Sequence, residues 1–418
     1  MIMREMKDSG IPWVGQFPTH WTKKKGKYIL RYMSKPVKQD DGVITCFRDG
    51  EVTLRSNRRE DGFTMADKEI GYQGVDVGDL VVHGMDGFAG AIGISDSRGK
   101  ASPVLNVLNT KQNKKYIMYY LRSMAYGEVF TALSTGIRVR SCDLRWNKLA
   151  ELLYPLPPID EQNNIVNYID EQIARTNEII ADIQAQIDTL EQYKRSVITE
   201  AVTHGLNPSA PMKDSGIPWV GKIPAKWAVL PIYCVYGERK RKNVFGTEQN
   251  LLSLSYGKVI RKDINTNGGL LPSNYNGYNI IEKNDIIIRP TDLQNDRTSL
   301  RTGLVKEHGI ITSAYIALKP KNRVSSKFYH YLLHSYDVKK VFYNMGNGVR
   351  QGLNYGEFAK LMVYYPPLDE QQEIADYLDN KCAEIEQIIA DKKSQIDTLD
   401  GYKKSLIYEY VTGKKEVG

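Results

Sequence analysis

The strongest periodicity in the chain lies in two long stretches. Between positions 162 and 203, apolar residues fall at Ile165, Ile169, Ile173, Ile180, Ile183, Ile187, Leu190, Val197 and Ile198. Steps of three and four put them on one helical face, the seam pattern of a coiled coil. A second stretch repeats the pattern with Ile374, Leu378, Cys382, Ile385, Ile389, Ile396 and Leu399. About 42 residues at 1.5 Å rise predict a rod of roughly 60 Å. Pro157-Pro158 and Pro366-Pro367 stop the preceding strand and set the helix entry. Gly205 and Gly413 follow the last turns, where a positive φ is needed. Elsewhere the pattern is shorter. It predicts strands over 77–82 and 285–288, and amphipathic helices over 116–130 and 327–342.

The two rods belong to a tandem duplication. Residues 6–15 read MKDSGIPWVG, and 212–221 read the same ten residues. The match continues through Pro18/Pro224 and Trp21/Trp227. Further in, Asp79 aligns with Asp285, His83 with Arg289, Asp86 with Asp292, and Arg138 with Arg350. PPIDEQ at 157–162 aligns with PPLDEQ at 366–371, and 25 of 47 positions from there are identical. Flanks and helices match closely, whereas domain interiors match only at scaffold positions. That pattern fits one fold kept twice with two different binding surfaces. The expected order is a basic α+β domain over 1–156, a helix over 157–204 and a linker over 205–211. A second basic domain over 212–365, a second helix over 366–413 and a tail over 414–418 complete it. If the rods pair antiparallel, the two domains are related by a pseudo-two-fold axis. Lys392 replaces seam residue Ile183, and a polar seam residue can fix register; an exposed, frayed turn is the alternative.

Charge sharpens the picture. Segment 157–204 holds nine acidic and three basic residues, and 366–412 holds eleven and five. Each is net −6; with +8 on the whole chain, the remainder carries +20. Basic domains of that charge suit a polyanion, with nucleic acid foremost. The composition is ordinary for a globular chain, at 41% hydrophobic and 25% charged residues. No apolar run reaches the roughly 18 residues that span a bilayer, and the N-terminus lacks the apolar core of a secretory signal. Cys46, Cys142, Cys234 and Cys382 lie far apart, so reduced thiols are expected rather than disulfides or a zinc ribbon.

Catalytic signatures are missing. There is no GxxxxGK[ST] loop, no GxSxG elbow and no dinucleotide fingerprint after a strand. Leu156-Pro-Pro-Ile159 and Tyr365-Pro-Pro-Leu368 are not the Asp/Asn-Pro-Pro-aromatic loop that adenine methylation needs. His330 and His334 form HYLLH, but neither a neighbouring Glu base nor a third ligand is evident, so a packed or solvent-facing pair is expected, with no metal.

Four places could contact DNA. The first is the loop after the repeated strand: His83, Met85, Asp86 and Phe88 in one copy; Arg289, Thr291, Asp292, Gln294, Asn295 and Arg297 in the other. Different side chains from one scaffold point suit base-edge contacts, Arg to guanine and Asn or Gln to adenine. The second is Arg138 and Arg140, with Arg350 and Gln351. The third is Arg55, Arg58 and Arg59; the fourth is Arg239, Lys240, Arg241 and Lys242. The last two suit phosphates, which position without specifying. Against each stands an ordinary alternative: a surface turn, a structural ion pair or a solvated face. On the helices, Asp160, Glu161, Gln162, Tyr193 and Lys194 recur as Asp369, Glu370, Gln371, Tyr402 and Lys403. A seam alone does not demand that recurrence, so a partner protein bound twice is expected there.

This order of motifs is KDSGIPWVGxxPxxW, a variable basic domain, GxR, then PPxDEQ running into a long helix, all present twice. It resembles the specificity subunit of type I restriction–modification systems over essentially the whole chain. The resemblance implies two target recognition domains, each reading half of a bipartite double-stranded DNA site, separated by a long antiparallel coiled coil of two helices. The helices would act as a ruler and dock two modification (methyltransferase) subunits, with restriction (translocase/endonuclease) subunits as further partners. S-adenosylmethionine, ATP and Mg would belong to those partners. This chain would be non-catalytic, cytoplasmic and nucleoid-associated in a bacterium or archaeon. A solitary architectural or regulatory DNA binder is the alternative, and a self-sufficient DNA methyltransferase or nuclease a third.

Overall fold

A computed structural model describes residues 4–58, 69–133, 144–264, 274–291, 293, 300–321, 323–345 and 352–417. The chain divides into two compact units. One comprises 1–183 and 393–418, the other 184–392. Both long helices, Ile159–His204 and Leu368–Val411, therefore cross the division. The units do not follow the serial order of domain and helix along the sequence.

Each unit is built on the same sheet. In the first, strand order is Leu30–Tyr32, Leu105–Thr110, Leu80–His83, Ile92–Ile94. In the second it is Tyr236–Glu238, Ile316–Pro320, Ile286–Ile288, Thr302–Leu304. All neighbours are antiparallel, with Val82 opposite Asn106 and Ile287 opposite Ala317. The apolar runs of the central strands are buried on both faces, because helix Lys114–Tyr126 or Ser326–Val338 covers one side and small two-stranded ribbons the other. The ribbons recur as well: Gln73–Val75 with Gly99–Ala101 corresponds to Asn279–Ile281 with Gly309–Ile311.

The expected strands and helices exist with shifted ends. The strand over 77–82 begins only at Leu80, because 76–79 form a turn closed by the Asp79 side chain on the backbone N–H of Asp76. The helix over 116–130 stops at Tyr126 before Gly127, and a short turn Val129–Ala132 follows. Gly205 and Gly413 do take positive φ, 73° and 71°.

Helix pairing is antiparallel within each unit. In the first, Tyr168 meets Tyr410, with rings 4.7 Å apart, and Lys403 donates to Asn177 at 2.9 Å. In the second, Lys392 donates to Gln186 at 2.5 Å and Lys194 pairs with Glu386. Each globular core is completed by the end of the other repeat's helix. Leu406, Ile407, Tyr410 and Val411 are buried in the first core; Val197, Ile198, Ala201 and Val202 are buried in the second. Among the described residues, no helix is long and apolar enough to cross a membrane.

Candidate nucleic-acid interface

The repeated helix-entry residues hold the scaffold together. Trp21 and Trp227 are fully buried, and their indole N–H groups donate to Glu161 at 3.1 Å and Glu370 at 2.9 Å. Glu161 also takes Arg4 and His20. Burial alone raises its pKa, but hydrogen bonds from His20, Arg4 and Trp21 outweigh that and hold the carboxyl below its ordinary value. Gln162 and Gln371 are also fully buried. Each donates to the first carbonyl of the double proline (Pro157 at 2.9 Å, Pro366 at 2.8 Å) and accepts the backbone N–H of Asn113 or Ser325 at 3.0 Å. Asn113 and Ser325 in turn cap the helices that cover the sheets.

Within the recurrent Asp-Glu-Gln expected as a partner surface, the Glu and Gln side chains thus serve the chain itself. Gln162 and Gln371 leave no side-chain surface for a partner, and Glu161 and Glu370 are engaged within the chain. Asp160 and Asp369 are exposed, as are Tyr193 and Tyr402. Lys194 pairs with Glu386, and Lys403 with Asp400 at 2.8 Å. Asp170 and Asp379, further along the helices, bind Lys115 and Tyr119 in one copy and Lys327 and Tyr331 in the other.

The aligned Asp79 and Asp285 are structural too. Asp79 pairs with Lys35 at 2.5 Å, and Asp285 with Arg239 through two bonds of 2.5 and 3.0 Å. Arg239, a phosphate ligand on the sequence pattern alone, is committed to a buried carboxylate. The other three bases of that run are largely exposed: Lys240 lies 2.9 Å from Glu238, Arg241 lies 3.5 Å from Glu282, and Lys242 donates to the Gly277 carbonyl.

In the first unit, the strand-end loop is organised by His83. Its Nδ1 accepts the backbone N–H groups of Met85 and Asp86 at 3.2 and 2.9 Å. Burial holds the ring below its ordinary pKa. The neutral ring then carries its proton on Nε2. His83 therefore shapes the turn, while Met85 is exposed and Phe88 packs partly against the core. Asp86 pairs with Arg48 at 2.9 Å. Arg55 donates to Thr45, and Arg58 lies over the Phe47 ring between Asp49 and Glu51, at 2.5 and 2.8 Å.

In the second unit, the corresponding loop is held by Arg301, which is 0% exposed. It donates to the Thr291 carbonyl at 2.5 Å, contacts the Arg289 carbonyl at 3.4 Å and reaches the Tyr343 hydroxyl at 3.2 Å. Its own N–H donates to Asp337. Beside this loop is a cleft of about 390 Å³ lined by Glu238, Lys240, Pro290, Tyr315, Asn354 and Tyr355, among others. The fold thus brings together the basic run at 238–242, the strand-end loop and the segment that follows Gln351. A cleft with the Lys240–Glu238 pair at its edge, aromatic walls and the Asn354 amide offers donors and acceptors suited to a base edge.

Arg59, Arg138, Arg140, Asp292, Gln294, Asn295, Arg297, Arg350 and Gln351 lie outside the described residues. Arg48, Arg301, Tyr315 and Asn354 were missed from sequence. Arg301 had one available signal: an arginine placed just before a strand that must be buried. His330 and His334 are half-buried on the helix Ser326–Val338, with desolvation pushing both down to about 4. Among the described residues no cluster of three or more His, Cys, Asp or Glu is placed to hold a metal.

Comparison with known proteins gives this architecture a context. Residues 238–398 match the type I restriction modification DNA specificity domain. The putative type I restriction enzyme MjaX specificity subunit of Methanocaldococcus jannaschii is 22% identical over 324 residues, 75% of this chain and 72% of that protein. The type I restriction enzyme StySPI specificity subunit of Salmonella potsdam is 21% identical over 306 residues, 72% of this chain and 65% of that protein. Among solved structures, one concerned with complex assembly and conformational transition of the type I R-M system aligns with a TM-score of 0.68 at 12% identity, covering 96% of this chain and 99% of that one. The HsdS subunit from Thermoanaerobacter tengcongensis aligns with a TM-score of 0.50 at 14% identity, covering 96% and 98%. At these identities the structural likeness is one of fold.

Proposed function

We propose, for a chain that belongs to the specificity subunits of type I restriction–modification systems, that its two globular domains read the two halves of a split double-stranded DNA target. The observation that carries this is one sheet topology kept twice, with different residues leaving the same strand end: His83-Gly-Met-Asp in one unit and Arg289-Pro-Thr in the other. Bidentate base contacts discriminate by about 1–3 kcal/mol each, so a few per half-site suffice.

The chain itself carries out no chemistry in this reading. Methyl transfer, with its S-adenosylmethionine, belongs to two modification subunits, and ATP-driven translocation and cleavage to restriction subunits. The exposed Asp160, Asp369, Tyr193 and Tyr402 are the recurrent helix residues left for docking the modification subunits. Continuous helices of fixed length hold the two half-sites at a constant spacing. The test is an exchange of residues 17–150 for the matching segment of another family member. The methylated motif is then mapped in the presence of a modification subunit. Only one half of the motif should change. A change in both halves would contradict modular reading.

A further inference from the structure

Beside the strand-end loop of the second unit stands a ribbon that no motif pointed to. Strands Leu252–Ser255 and Lys258–Arg261 pair antiparallel, with Ser255 opposite Lys258. Only Tyr256 and Gly257 connect them. Both have positive φ, 47° and 76°, the conformation of a two-residue type I′ turn. Asn-Gly or Asp-Gly satisfies that turn; a tyrosine in the left-handed region is strained. Burial does not compensate for the strain, because Tyr256 is 90% exposed. A local rule broken without a packing gain is a sign of function.

The tip has a defined address. A Cβ added to Gly257 would meet Leu300 Cδ1 at 3.0 Å, so the turn rests against the residue that leads into Arg301 and closes the strand-end loop. Lys258, 69% exposed, opens the second strand, with its ammonium 3.6 Å from the Glu386 carboxylate. The first unit repeats the arrangement independently. There the ribbon Ile44–Cys46 with Val52–Leu54 carries Arg48 in its turn, and Arg48 reaches Asp86 in the strand-end loop. In both units a ribbon tip is thus seated on the loop, bearing an exposed residue suited to DNA: a cation in one, an aromatic ring and a lysine in the other.

We propose that the tip Tyr256-Gly257-Lys258 is a second reading element of this domain, with the Tyr256 hydroxyl and ring meeting a groove-exposed base edge or sugar of its half-site and Lys258 meeting the adjoining phosphate. This rests on the DNA-reading role proposed above. A rigid two-residue turn presents the ring at small entropic cost, and a tyrosine offers both a hydroxyl for a polar edge and an apolar ring for a sugar or a thymine methyl.

The experiment uses the full chain in complex with a modification subunit. Wild type and Tyr256→Asn are compared for thermal stability, for affinity to the wild-type target and for the methylated motif. Asn suits the turn, so the variant should melt at the wild-type temperature or above. It should bind the target about 10-fold more weakly and relax base preference in the second half-site, with the first half unchanged. A stable Tyr256→Asn complex with wild-type affinity and motif would overturn this role for the tip while leaving the DNA-reading role intact. A wild-type complex without any sequence preference would overturn the DNA-reading role, and the tip's role with it.

Discussion

Side chains that recur in both copies turn out to serve two different ends. Gln162 and Gln371 look like interaction residues because they recur exactly where a helix begins, yet both are buried and close the helix entry. Gln371→Leu should therefore lower stability by about 2 kcal/mol, since it leaves the Ser325 N–H and the Pro366 carbonyl without this partner. Chemical denaturation with both units monitored checks this. For the same reason charge reversal at Asp369 alone, not at Glu370, is the clean probe of partner docking. Lys240 is of the other kind: exposed and on the rim of the cleft. Lys240→Ala should weaken binding to all sequences evenly and reduce the salt slope by about 1, whereas Arg289→Ala should relax preference in the second half-site. His330 and His334 make a pH prediction. Their folded pKa of about 4 lies below the unfolded value of about 6.5. Stability is therefore fully present above pH 6.5 and is lost as pH falls toward 4, because the unfolded state takes up protons that the folded state refuses. The slope should approach about 1.4 kcal/mol per pH unit for each histidine. Melting of the wild type and of His334→Gln across that window tests it, the variant showing the shallower slope.

At the level of elements, the long helices are the part most legible in the sequence, because a 3/4 spacing sustained over 40 residues leaves little else for the chain to do. The sheets were legible only in part. Strands such as Ile286–Ile288 are three residues long and apolar throughout, so period-two alternation never develops. The ribbons were not seen, since their identity resides in turns such as Tyr256-Gly257, whose sequence departs from the favoured Asn-Gly. Most of all, the sequence could not show which helix end completes which core. Removing residues 405–418 takes Leu406, Ile407, Tyr410 and Val411 out of the first unit. At about 1.5–3 kcal/mol for each buried apolar side chain, that loss rivals the whole stability of a domain. Hydrogen exchange should then show the first unit unfolding and the second, distinct in its core, retained. Protection retained in both units would contradict that assignment.

For the whole molecule, two copies of one fold share a framework of Trp–Glu, Gln–cap and Asp–Lys–Tyr contacts and differ where their strand-end loops emerge. The duplicated framework was visible from sequence in its MKDSGIPWVG and PPxDEQ repeats, and the acidic helices and basic domains pointed to DNA. The reading residues were less visible, because strand-end loops are specified by what braces them, as Arg301 braces Arg289 and Thr291 here, and the brace is distant in sequence or has no recurrent spacing. The proposed role of this chain is to supply the address for a methyltransferase that lacks one. It is tested most directly by mapping N6-methyladenine across the genome of a methylation-free host that expresses a modification subunit with and without the chain. A split motif with a fixed gap, present only with the chain, is the predicted result; a soluble complex of chain and modification subunit that methylates no defined motif would contradict it.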